Sequence, residues 1–554
     1  YSALDQINTK TVKNLAAAWT FSVGAAYGQE SGPLVVGDTM YLVAPHAGAH
    51  PNAIFALNAT TGDLGWTYQP KTKRAAIGLA CCGVESRGLG YDNGKIFLNT
   101  LDGTTVAIDA KTGKEIWHTD IGNINIGETF TMAPFVVRGK VLVGNSGGEM
   151  GVRGWLAALD ENTGKIVWKA YSTGPDKDVL IGKDFHPFYD WEKGQDLGVK
   201  SWPPEAWRIG GGDVWGWISY DPDLNLIYYG TSNPGPWNPS QRPGDNMWTS
   251  TIFARNPDTG QAVWADQLDH HDLWAYDEIM ENVLVDLPIN GKTRQVFLHV
   301  AKTGYVTAID RKTGEILSAD PFTYITTYEG YDLKTGRPKL NPKLPTAPGK
   351  VAQEVCPTNL GGKDWQPTAW SPKTKLLYIP HSHACMNREN FEVQYIAGTP
   401  YIGLYGDQYA APGDGHRGAF DAWDPLKHEK AWSIEEKFPV FSGALATAGD
   451  VVFYGTLDRW FKAVDAKTGK LLWKFRAPSG IVGQPITYAV GGKQYVAVLS
   501  GIGGAMGGVV IGNLDPRLRN GGQGTSGLIQ DLAAYTEGGS TLLVFSLPEG
   551  AAGK

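Results

Sequence analysis

The sequence has no apolar run long enough to cross a bilayer as a helix, which takes about 20 consecutive residues. It also has no excess of positive charge, because 49 lysines and arginines stand against 56 aspartates and glutamates, for a formal net charge of −7 at pH 7. The first absence argues against a membrane span. The second argues against nucleic acid or an anionic membrane surface as a partner.

Cysteine is scarce, with 4 among 554 residues. No Cys-x-x-Cys-His motif occurs, which excludes a c-type haem attached to this chain. Cys81 and Cys82 are adjacent, whereas Cys356 and Cys385 lie in an irregular region. The even count and the lack of zinc-like spacing favour two disulfides and an oxidising compartment, with four reduced thiols as the alternative. Because the chain begins at Tyr1 without methionine or a signal peptide, we expect the mature form of a periplasmic protein.

Glycine (71) and tryptophan (20) are abundant, and both recur in one motif. Its clearest copy is residues 107–117, Ala-Ile-Asp-Ala-Lys-Thr-Gly-Lys-Glu-Ile-Trp. Four more copies end at Trp66, Trp168, Trp264 and Trp473; the copy at 308–318 lacks Trp, the copy at 422–432 lacks Thr-Gly, and residues 7–19 hold half a copy. The motif therefore occurs eight times.

Each copy predicts a β-hairpin, in which Asp or Asn ends one strand, Thr-Gly makes the turn and Trp packs between adjacent sheets. Two more strand-like runs precede most copies, so each unit of about 50 residues holds about four strands. The sequence therefore predicts an all-β fold, an eight-bladed β-propeller with Trp-docking repeats, as a single domain over residues 1–554. Two unrelated β-sandwiches, the alternative, do not explain one motif at a constant offset.

Two long segments interrupt the repeat, at about residues 171–209 and 321–421. Loops of this length in a compact fold usually form lids or walls of a binding site. The Gly-rich segment 501–547 ends in the strand-like run 540–546. We expect this run to pair with the N-terminal segment and close the ring.

Four motifs outside the repeat carry candidate functional groups. The first, residues 79–88, contains the adjacent cysteines, which bond to each other only through a strained eight-membered ring. The others are 144–154 with Glu149, 229–238 with Asn233, and 270–278, His-His-Asp-Leu-Trp-Ala-Tyr-Asp-Glu. Carboxylate and amide oxygens suit Ca²⁺ or a similar cation. Taken singly, each motif is more typical of a solvated loop than of a site, and the two adjacent histidines have no zinc-like partners.

Taken together, these motifs resemble the quinoprotein alcohol dehydrogenases, and most closely the methanol dehydrogenase large-subunit branch, over essentially the whole chain. Further matching segments are 174–178, 209–212, 242–246 and 446–458. The resemblance implies a propeller enzyme that uses pyrroloquinoline quinone (PQQ) and a Ca²⁺ or lanthanide ion. Such an enzyme oxidises an alcohol to an aldehyde or ketone by hydride transfer and passes electrons to an external acceptor such as cytochrome c.

The resemblance also implies roles for particular residues. It places around PQQ Glu30, Cys81, Cys82, Arg87, Thr131, Ser146, Asp213, Trp215, Lys302 and Asp364. The implied cation ligands are Glu149, Asn233 and Asp277, and the implied catalytic residues are Asp277 and Lys302. The implied disulfides join Cys81 to Cys82 and Cys356 to Cys385.

Three positions depart from the family pattern. Ala275 stands where the catalytic aspartate is expected, and Asp277 follows two residues later, matching an aspartate that accompanies lanthanide binding in some relatives. On an extended segment both side chains share a face, so we expect Asp277 to serve as base, with Asp272 and Glu278 as competitors. Asp213 replaces a small hydroxyl residue, where a carboxylate either repels a PQQ carboxylate or meets a cation.

Phe441 takes the place of a Trp and, with Ala275, predicts a substrate larger than methanol. Two alternatives are a non-catalytic propeller scaffold and a PQQ-binding protein that has lost its base. The alcohol, the choice of cation, the electron acceptor and the oligomeric state stay open, with a homodimer as one option.

Overall fold

The structure, a computed structural model, describes residues 1–25, 28–46 and 50–550. In these residues, eight four-stranded antiparallel sheets follow one another along the chain. We number them blades 1 to 8. The sheets confirm the predicted all-β propeller fold.

The strands of the first four blades precede residue 268. Blade 1 holds Leu34–Val36, Thr39–His46, His50–Asn58 and Leu64–Tyr68; blade 2 holds Gly90–Asp92, Lys95–Asn99, Thr104–Asp109 and Glu115–Asp120; blade 3 holds Phe135–Val137, Lys140–Gly144, Trp155–Asp160 and Ile166–Tyr171; and blade 4 holds Ile218–Asp221, Leu226–Gly230, Thr251–Arg255 and Ala262–Gln267.

The remaining blades follow in the same order, except that blade 8 also takes a strand from the N-terminal end. Blade 5 holds Asn282–Ile289, Lys292–Val300, Tyr305–Asp310 and Ile316–Pro321; blade 6 holds Ala369–Ser371, Leu376–Ser382, Gly418–Asp424 and Glu429–Glu436; blade 7 holds Leu445–Ala446, Val451–Gly455, Trp460–Asp465 and Leu471–Arg476; and blade 8 holds Ile486–Val490, Lys493–Ser500, Thr541–Ser546 and Ala16–Ser22.

Helices in the described residues are short. The α-helices are Ala75–Leu79, Asp176–Val179, Leu197–Lys200 and Thr525–Leu528. The 3₁₀ helices are Val12–Asn14, Ile124–Ile126, Gly148–Met150, Asp190–Glu192, Ala206–Ile209, Pro239–Gln241, Gly504–Gly507 and Leu532–Ala534. None of these helices is long and apolar enough to span a membrane.

Both ends of the chain contribute to blade 8, as predicted. Thr541–Ser546 pairs on one side with Lys493–Ser500 and on the other with Ala16–Ser22, where Ala16 lies opposite Ser546 and Ser22 opposite Thr541. Buried apolar side chains form a cluster between each pair of consecutive blades, including blades 8 and 1. The sheets therefore form a closed ring, and burial of apolar surface between blades is what stabilises it.

The repeated motif makes one turn and one contact between blades. Asp109 Oδ1 accepts the backbone N–H groups of Lys111 and Thr112, so its side chain holds the turn that leads to Gly113. Gly113 has φ +70°, and a Cβ there would lie 2.6 Å from the Trp66 ring of the preceding blade. The motif needs glycine for both reasons, positive φ and close approach of an indole.

The same contact recurs around the ring. A Cβ on the turn glycine would come within 2.8 Å of an indole for the pairs Gly62–Trp19, Gly164–Trp117, Gly260–Trp168, Gly314–Trp264 and Gly469–Trp432. Several of these indoles also donate Nε1–H to a carbonyl in the next turn, as Trp117 does to Glu161 at 3.0 Å. The predicted packing of Trp between adjacent sheets is confirmed.

The second insertion is narrower than the sequence predicts. Residues 321–421 were expected to lie outside the blades, yet they contain Ala369–Ser371 and Leu376–Ser382, the first two strands of blade 6, and the start of Gly418–Asp424. The motif marks only the third and fourth strands of a blade, so these strands carried no signal. The inserted chain forms the pair Tyr328–Asp332 and Arg337–Leu340 and the three-stranded sheet Val351–Val355, Ala384–Asn390 and Leu404–Ala410.

The first insertion, about residues 171–209, holds only short helices in its described residues. It lies between the last strand of blade 3 and the first strand of blade 4. The assignment of residues 1–554 to a single domain stays a prediction.

Candidate functional site

Both predicted disulfides are present. Cys81 is bonded to Cys82, immediately after the helix Ala75–Leu79. Cys356 is bonded to Cys385 and so joins the end of Val351–Val355 to Ala384–Asn390, within the insertion sheet. All four cysteines are therefore paired.

Arg87 is the centre of the first half of the site. Its Nη2 lies 2.9 Å from Glu30 Oε2, and its Nη1 donates to Thr131 Oγ1 at 2.7 Å. The Thr131 hydroxyl is in turn 2.9 Å from Ser146 Oγ. The backbone fixes this order, because Arg87 N–H donates to Thr131 O at 2.9 Å. Four residues that the resemblance assigned to PQQ are thus brought together.

Aromatic rings flank the same guanidinium. Arg87 Cζ lies 4.6 Å from the centre of the Trp215 ring and 5.2 Å from that of Trp365. Trp215, Trp365 and Phe441 belong to one apolar cluster, in which Phe441 is buried. The predicted positions of Trp215 and Phe441 near the site are therefore consistent with the structure.

A second carboxylate, Glu85, lies beside Arg87, with Oε2 3.5 Å from Nη2. Burial raises the pKa of both Glu30 and Glu85, and the pKa of Glu85 rises further because of the charge on Glu30; the charge on Arg87 opposes both shifts. Glu85 Oε1 and Arg87 Nε are buried without a hydrogen-bond partner in the described part of the chain. The Arg87 donor suits a carboxylate of a ligand such as PQQ, whereas the Glu85 acceptor requires a ligand N–H or O–H.

Asp277 is the centre of the second half of the site. Its Oδ2 accepts from Lys302 Nζ at 2.6 Å, and its Oδ1 accepts the backbone N–H of Asn233 at 2.8 Å. Lys302 Nζ also lies 3.8 Å from Asp364 Oδ1. Burial lowers the pKa of Lys302, but the charges of Asp277 and Asp364 outweigh it and raise the pKa overall. Lys302 therefore stays protonated.

Glu149 lies on the 3₁₀ helix Gly148–Met150, close to this cluster. Burial raises its pKa, and the charge of Asp277 adds to that shift. Asn233 Nδ2 donates to Pro234 O at 3.0 Å, which leaves the amide oxygen for a cation. The carboxylates of Glu149 and Asp277, beside the amide oxygen of Asn233, form a donor set that suits a hard cation.

The prediction that Ala275 and Asp277 lie on one face of an extended segment is wrong. Residues 272–277 were expected to be extended, but Ala275 has φ +67° and lies in a turn. Asp272 makes that turn, since its carboxylate accepts the N–H groups of Trp274, Ala275 and Tyr276 at 2.9–3.1 Å. The face-sharing argument therefore does not hold, although Asp277 does reach the site.

The two competing carboxylates have partners of their own. Asp272 is fully buried beneath its turn. Glu278 is buried and bonded through Oε2 to His299 Nε2 at 2.8 Å. Neither is positioned as Asp277 is, beside Lys302 and Asn233.

Part of the second insertion contacts the cation side of the site. Tyr401 N–H donates to Glu149 O at 2.6 Å, and a Cβ at Gly151 would lie 2.8 Å from the Tyr395 ring. This agrees with the prediction that the insertion forms a wall of the site.

Sequence reasoning missed three residues of the site, namely Glu85, Trp365 and Tyr401. Glu85 and Trp365 each stand within two residues of an assigned one, Arg87 and Asp364, so proximity in sequence was a usable signal. Tyr401 had no such signal, because its contact depends on how the insertion folds back.

Comparison with known proteins gives consistent results. The family described as "PQQ: Glucose/ethanol/alcohol dehydrogenase, beta-propeller domain" matches residues 1–319 and 416–496. The chain is 48% identical to the lanthanide-dependent methanol dehydrogenase of Methylacidiphilum fumariolicum (strain SolV), over 99% of this chain and 90% of that protein. It is 42% identical to methanol dehydrogenase [cytochrome c] subunit 1 of Methylorubrum extorquens, over 99% of this chain and 89% of that protein.

Among solved structures, a europium-containing methanol dehydrogenase superposes with a TM-score of 0.96 at 48% identity. The superposition covers 99% of this chain and 96% of that one.

Proposed function

The chain belongs to the PQQ-dependent alcohol dehydrogenase family, and from that premise we propose that it oxidises an alcohol to an aldehyde or ketone with PQQ and a Ca²⁺ or lanthanide ion. One observation supports this most directly. Asp277 connects the backbone N–H of Asn233 to the ammonium group of Lys302, at 2.8 and 2.6 Å, in a cluster that also holds Glu149. We therefore propose that the carboxylate of Asp277 both binds the cation and forms an acid–base pair with Lys302.

The residues around Arg87 are proposed to bind the coenzyme. Its guanidinium can pair a carboxylate through two parallel hydrogen bonds. Thr131 and Ser146 place two hydroxyls beside it. Trp215 offers a flat face for stacking, and the Cys81–Cys82 ring, whose first cysteine is exposed, is proposed to cover the opposite face. Glu30 and Asp364 complete the polar wall.

When bound, PQQ accepts a hydride equivalent, and the cation acts as a Lewis acid on its carbonyl. Glu149, Asn233 and Asp277 would hold the cation. Asp277 would take the proton of the substrate hydroxyl as the C–H bond breaks. Lys302, held protonated by Asp277 and Asp364, would stabilise negative charge that develops during the reaction.

Electrons then leave for an external acceptor, and we propose a cytochrome c. The sequence has no haem-attachment motif of its own, and one relative is named for cytochrome c. A periplasmic location is proposed with it, since two disulfides need an oxidising compartment. Formation of a homodimer stays a prediction, which light scattering checks.

The test is reconstitution. The purified chain is loaded with PQQ and either Ca²⁺ or La³⁺, and reduction of an artificial dye is followed with a series of alcohols. We expect alcohol-dependent reduction that needs both PQQ and the cation. Bound PQQ without turnover on any alcohol would instead support a binding protein, and absence of PQQ binding would support a scaffold.

We further propose that the substrate is larger than methanol, on the basis of Phe441 and Ala275 alone. The relatives reported above are named for methanol, so this proposal rests on Phe441 and Ala275 and not on those names. The measurement is kcat/KM for methanol against bulkier primary and secondary alcohols. A clear preference for methanol would refute it.

A further inference from the structure

We propose that Asp213 is a third carboxylate ligand of the cation held by Glu149, Asn233 and Asp277, and that it makes the site favour a trivalent over a divalent cation. This inference rests on the proposed function for the presence of the cation. The sequence placed Asp213 among the PQQ contacts and left open whether it meets a cation; the inference selects the cation.

The backbone places Asp213 beside the cation ligands. Asp213 N–H donates to Ser232 Oγ at 2.8 Å, and Ser232 N–H donates to Asp213 O at 2.8 Å. The next residue along, Asn233, donates its N–H to Asp277 at 2.8 Å. Asp213 and Asp277 therefore lie on either side of residues 232–233, which connect them.

The side chain of Asp213 points toward the Glu149 loop. A Cβ built on Gly148 would lie 2.5 Å from Asp213 Oδ2, so this oxygen packs against the backbone one residue before Glu149. A side chain at position 148 would push this oxygen away. Gly148 thus lets the carboxylates of Asp213 and Glu149 approach the same space.

The protein nevertheless compensates Asp213 only in part, through a backbone hydrogen bond from Gly148. The residue is 1% exposed, and its Oδ1 has no hydrogen-bond partner within the described ranges. Lys302, the ammonium group of the site, is already engaged by Asp277 and Asp364. A buried carboxylate oxygen without a partner is costly, and a cation shared with Glu149 and Asp277 would remove that cost.

The number of carboxylates affects the choice of ion. Attraction between a carboxylate and a cation grows with the product of their charges, so a third carboxylate strengthens binding of a trivalent ion more than that of a divalent one. With Asp213, the site offers Glu149, Asp277 and Asp213, three negative charges. This count matches a trivalent cation.

The test measures binding and is separate from turnover. Metal-free, full-length protein is titrated with Tb³⁺, whose luminescence is followed through tryptophan excitation, and La³⁺ and Ca²⁺ are then used as competitors. For Asp213→Asn we expect La³⁺ affinity to fall by about tenfold or more, with a smaller loss for Ca²⁺. The La³⁺/Ca²⁺ affinity ratio therefore falls.

A matched control is Glu128→Gln. Glu128 is also buried, but its oxygens accept from Trp155 Nε1 at 2.9 Å and from Asn123 N at 2.6 Å, so it has partners without a cation. We expect its La³⁺/Ca²⁺ ratio to equal that of the wild type. An unchanged ratio in Asp213→Asn, or equal losses for both ions, would overturn the proposal.

Thermal unfolding separates ligation from a structural role. In EDTA, Asp213→Asn is not expected to lower Tm, because Oδ1 of Asp213 has no hydrogen-bond partner in the described residues to lose, whereas with La³⁺ the substitution lowers Tm. A lower Tm under both conditions would assign Asp213 a structural role and reject ligation. Should Asp213→Asn not fold, Asp213→Ser, which removes the same charge, takes its place in both measurements.

Different results would overturn the proposed role of Asp213 and the proposed function. A chain that oxidises alcohols while Asp213→Asn binds La³⁺ as the wild type does would overturn this inference alone. A chain that binds La³⁺ through Asp213 but oxidises no alcohol would overturn the proposed function alone.

Discussion

Aspartate has opposite surroundings in the turns of the blades and in the pocket, the name used here for the cluster of Glu149, Asp213, Asn233, Asp277 and Lys302. In the turns, an aspartate such as Asp109 is partly exposed, and hydrogen bonds from Thr112 lower its pKa. In the pocket, burial raises the pKa of Asp213 well above its usual range, and the charge of Glu149 adds to it. Asp109 finds its hydrogen-bond donors within four residues of chain, whereas Oδ1 of Asp213 has no hydrogen-bond partner in the described residues.

This difference predicts that substitutions in the turns and in the pocket affect different properties of the protein. A change in a turn should alter folding without altering chemistry. A change in the pocket should alter chemistry or ion binding, and removal of a pocket carboxylate need not destabilise the protein.

The largest effect is expected for Asp277→Asn. Loss of a general base slows turnover by roughly 10²–10⁴-fold, and Asp277 also contacts Lys302 and Asn233. Turnover is measured together with cation and PQQ content. Retained cation with lost activity would assign the role of base, and loss of both would add ligation.

The control for this prediction is Asp109→Asn. Asp109 lies in a blade turn and not in the pocket, so this variant should have the kcat of the wild type. Full activity in Asp277→Asn, with Asp272→Asn or Glu278→Gln inactive, would show that the base is a different carboxylate.

The buried His299, which is bonded to Glu278, is also expected to affect the stability in acid. Burial lowers the pKa of His299 to about 3, while the unfolded chain has an ordinary value of about 6.5. Between these values the unfolded chain binds a proton that the folded chain does not, so the free energy of unfolding falls as pH decreases from 6.5 toward 3.

Urea unfolding at several pH values measures this slope. For His299→Gln we expect a smaller loss of stability between pH 6.5 and 4.5 than for the wild type, by about 1–2 kcal/mol. Equal slopes for the two proteins would contradict the prediction.

The same contrast between turns and pocket explains which parts of the molecule the sequence predicts. The blades were predictable because each motif is complete within about ten residues: an Asp, a turn, a Gly and a Trp, which together make one contact with a neighbour. Where the motif is absent, as in Ala369–Ser371 and Leu376–Ser382, the strands were assigned to an insertion.

The site was predicted by resemblance and not by local pattern. Arg87, Thr131 and Ser146 are far apart in sequence and meet only because the blades converge. The interpretation of residues 272–277 as extended was wrong because Asp272 folds the chain back on itself through three backbone hydrogen bonds. Periodicity contains no information on a turn of that kind.

A turn glycine tests the structural side of the comparison. Gly113→Ala has to adopt φ +70° and lies 2.6 Å from the Trp66 ring, so it combines backbone strain with overpacking. We expect it to lower the free energy of unfolding by about 2–4 kcal/mol. The matched control is Gly94→Ala, with φ +75° but no atom within 4 Å of the new Cβ, which should cost about 1 kcal/mol.

Equal losses at the two glycines would mean that the indole contributes nothing to the requirement for glycine at position 113. Neither variant is expected to change KM or the La³⁺/Ca²⁺ affinity ratio.

The interface between blades 5 and 6 provides the smallest and most specific test. Ser318 pairs with Ala308 as Trp264 pairs with Ala254, so it occupies the position of the missing Trp. His428 occupies the glycine position of the next turn, with φ +58°, and its Nδ1 lies 2.7 Å from Asp320 Oδ2. Both halves of the contact are thus replaced at the same interface.

Restoring only the Trp or only the Gly should not restore the contact between the blades. Ser318→Trp alone brings an indole against the imidazole of His428 and is expected to destabilise the protein, whereas His428→Gly alone relieves a positive φ that costs a non-glycine residue about 1 kcal/mol. In the double variant Ser318→Trp/His428→Gly, the indole can lie on the glycine as at the other interfaces. We expect a favourable coupling of about 0.5–1 kcal/mol between the two changes in a double-mutant cycle measured by urea unfolding. Strictly additive effects would mean that Trp423, which is buried in the same interface, already fills the space that the indole would need.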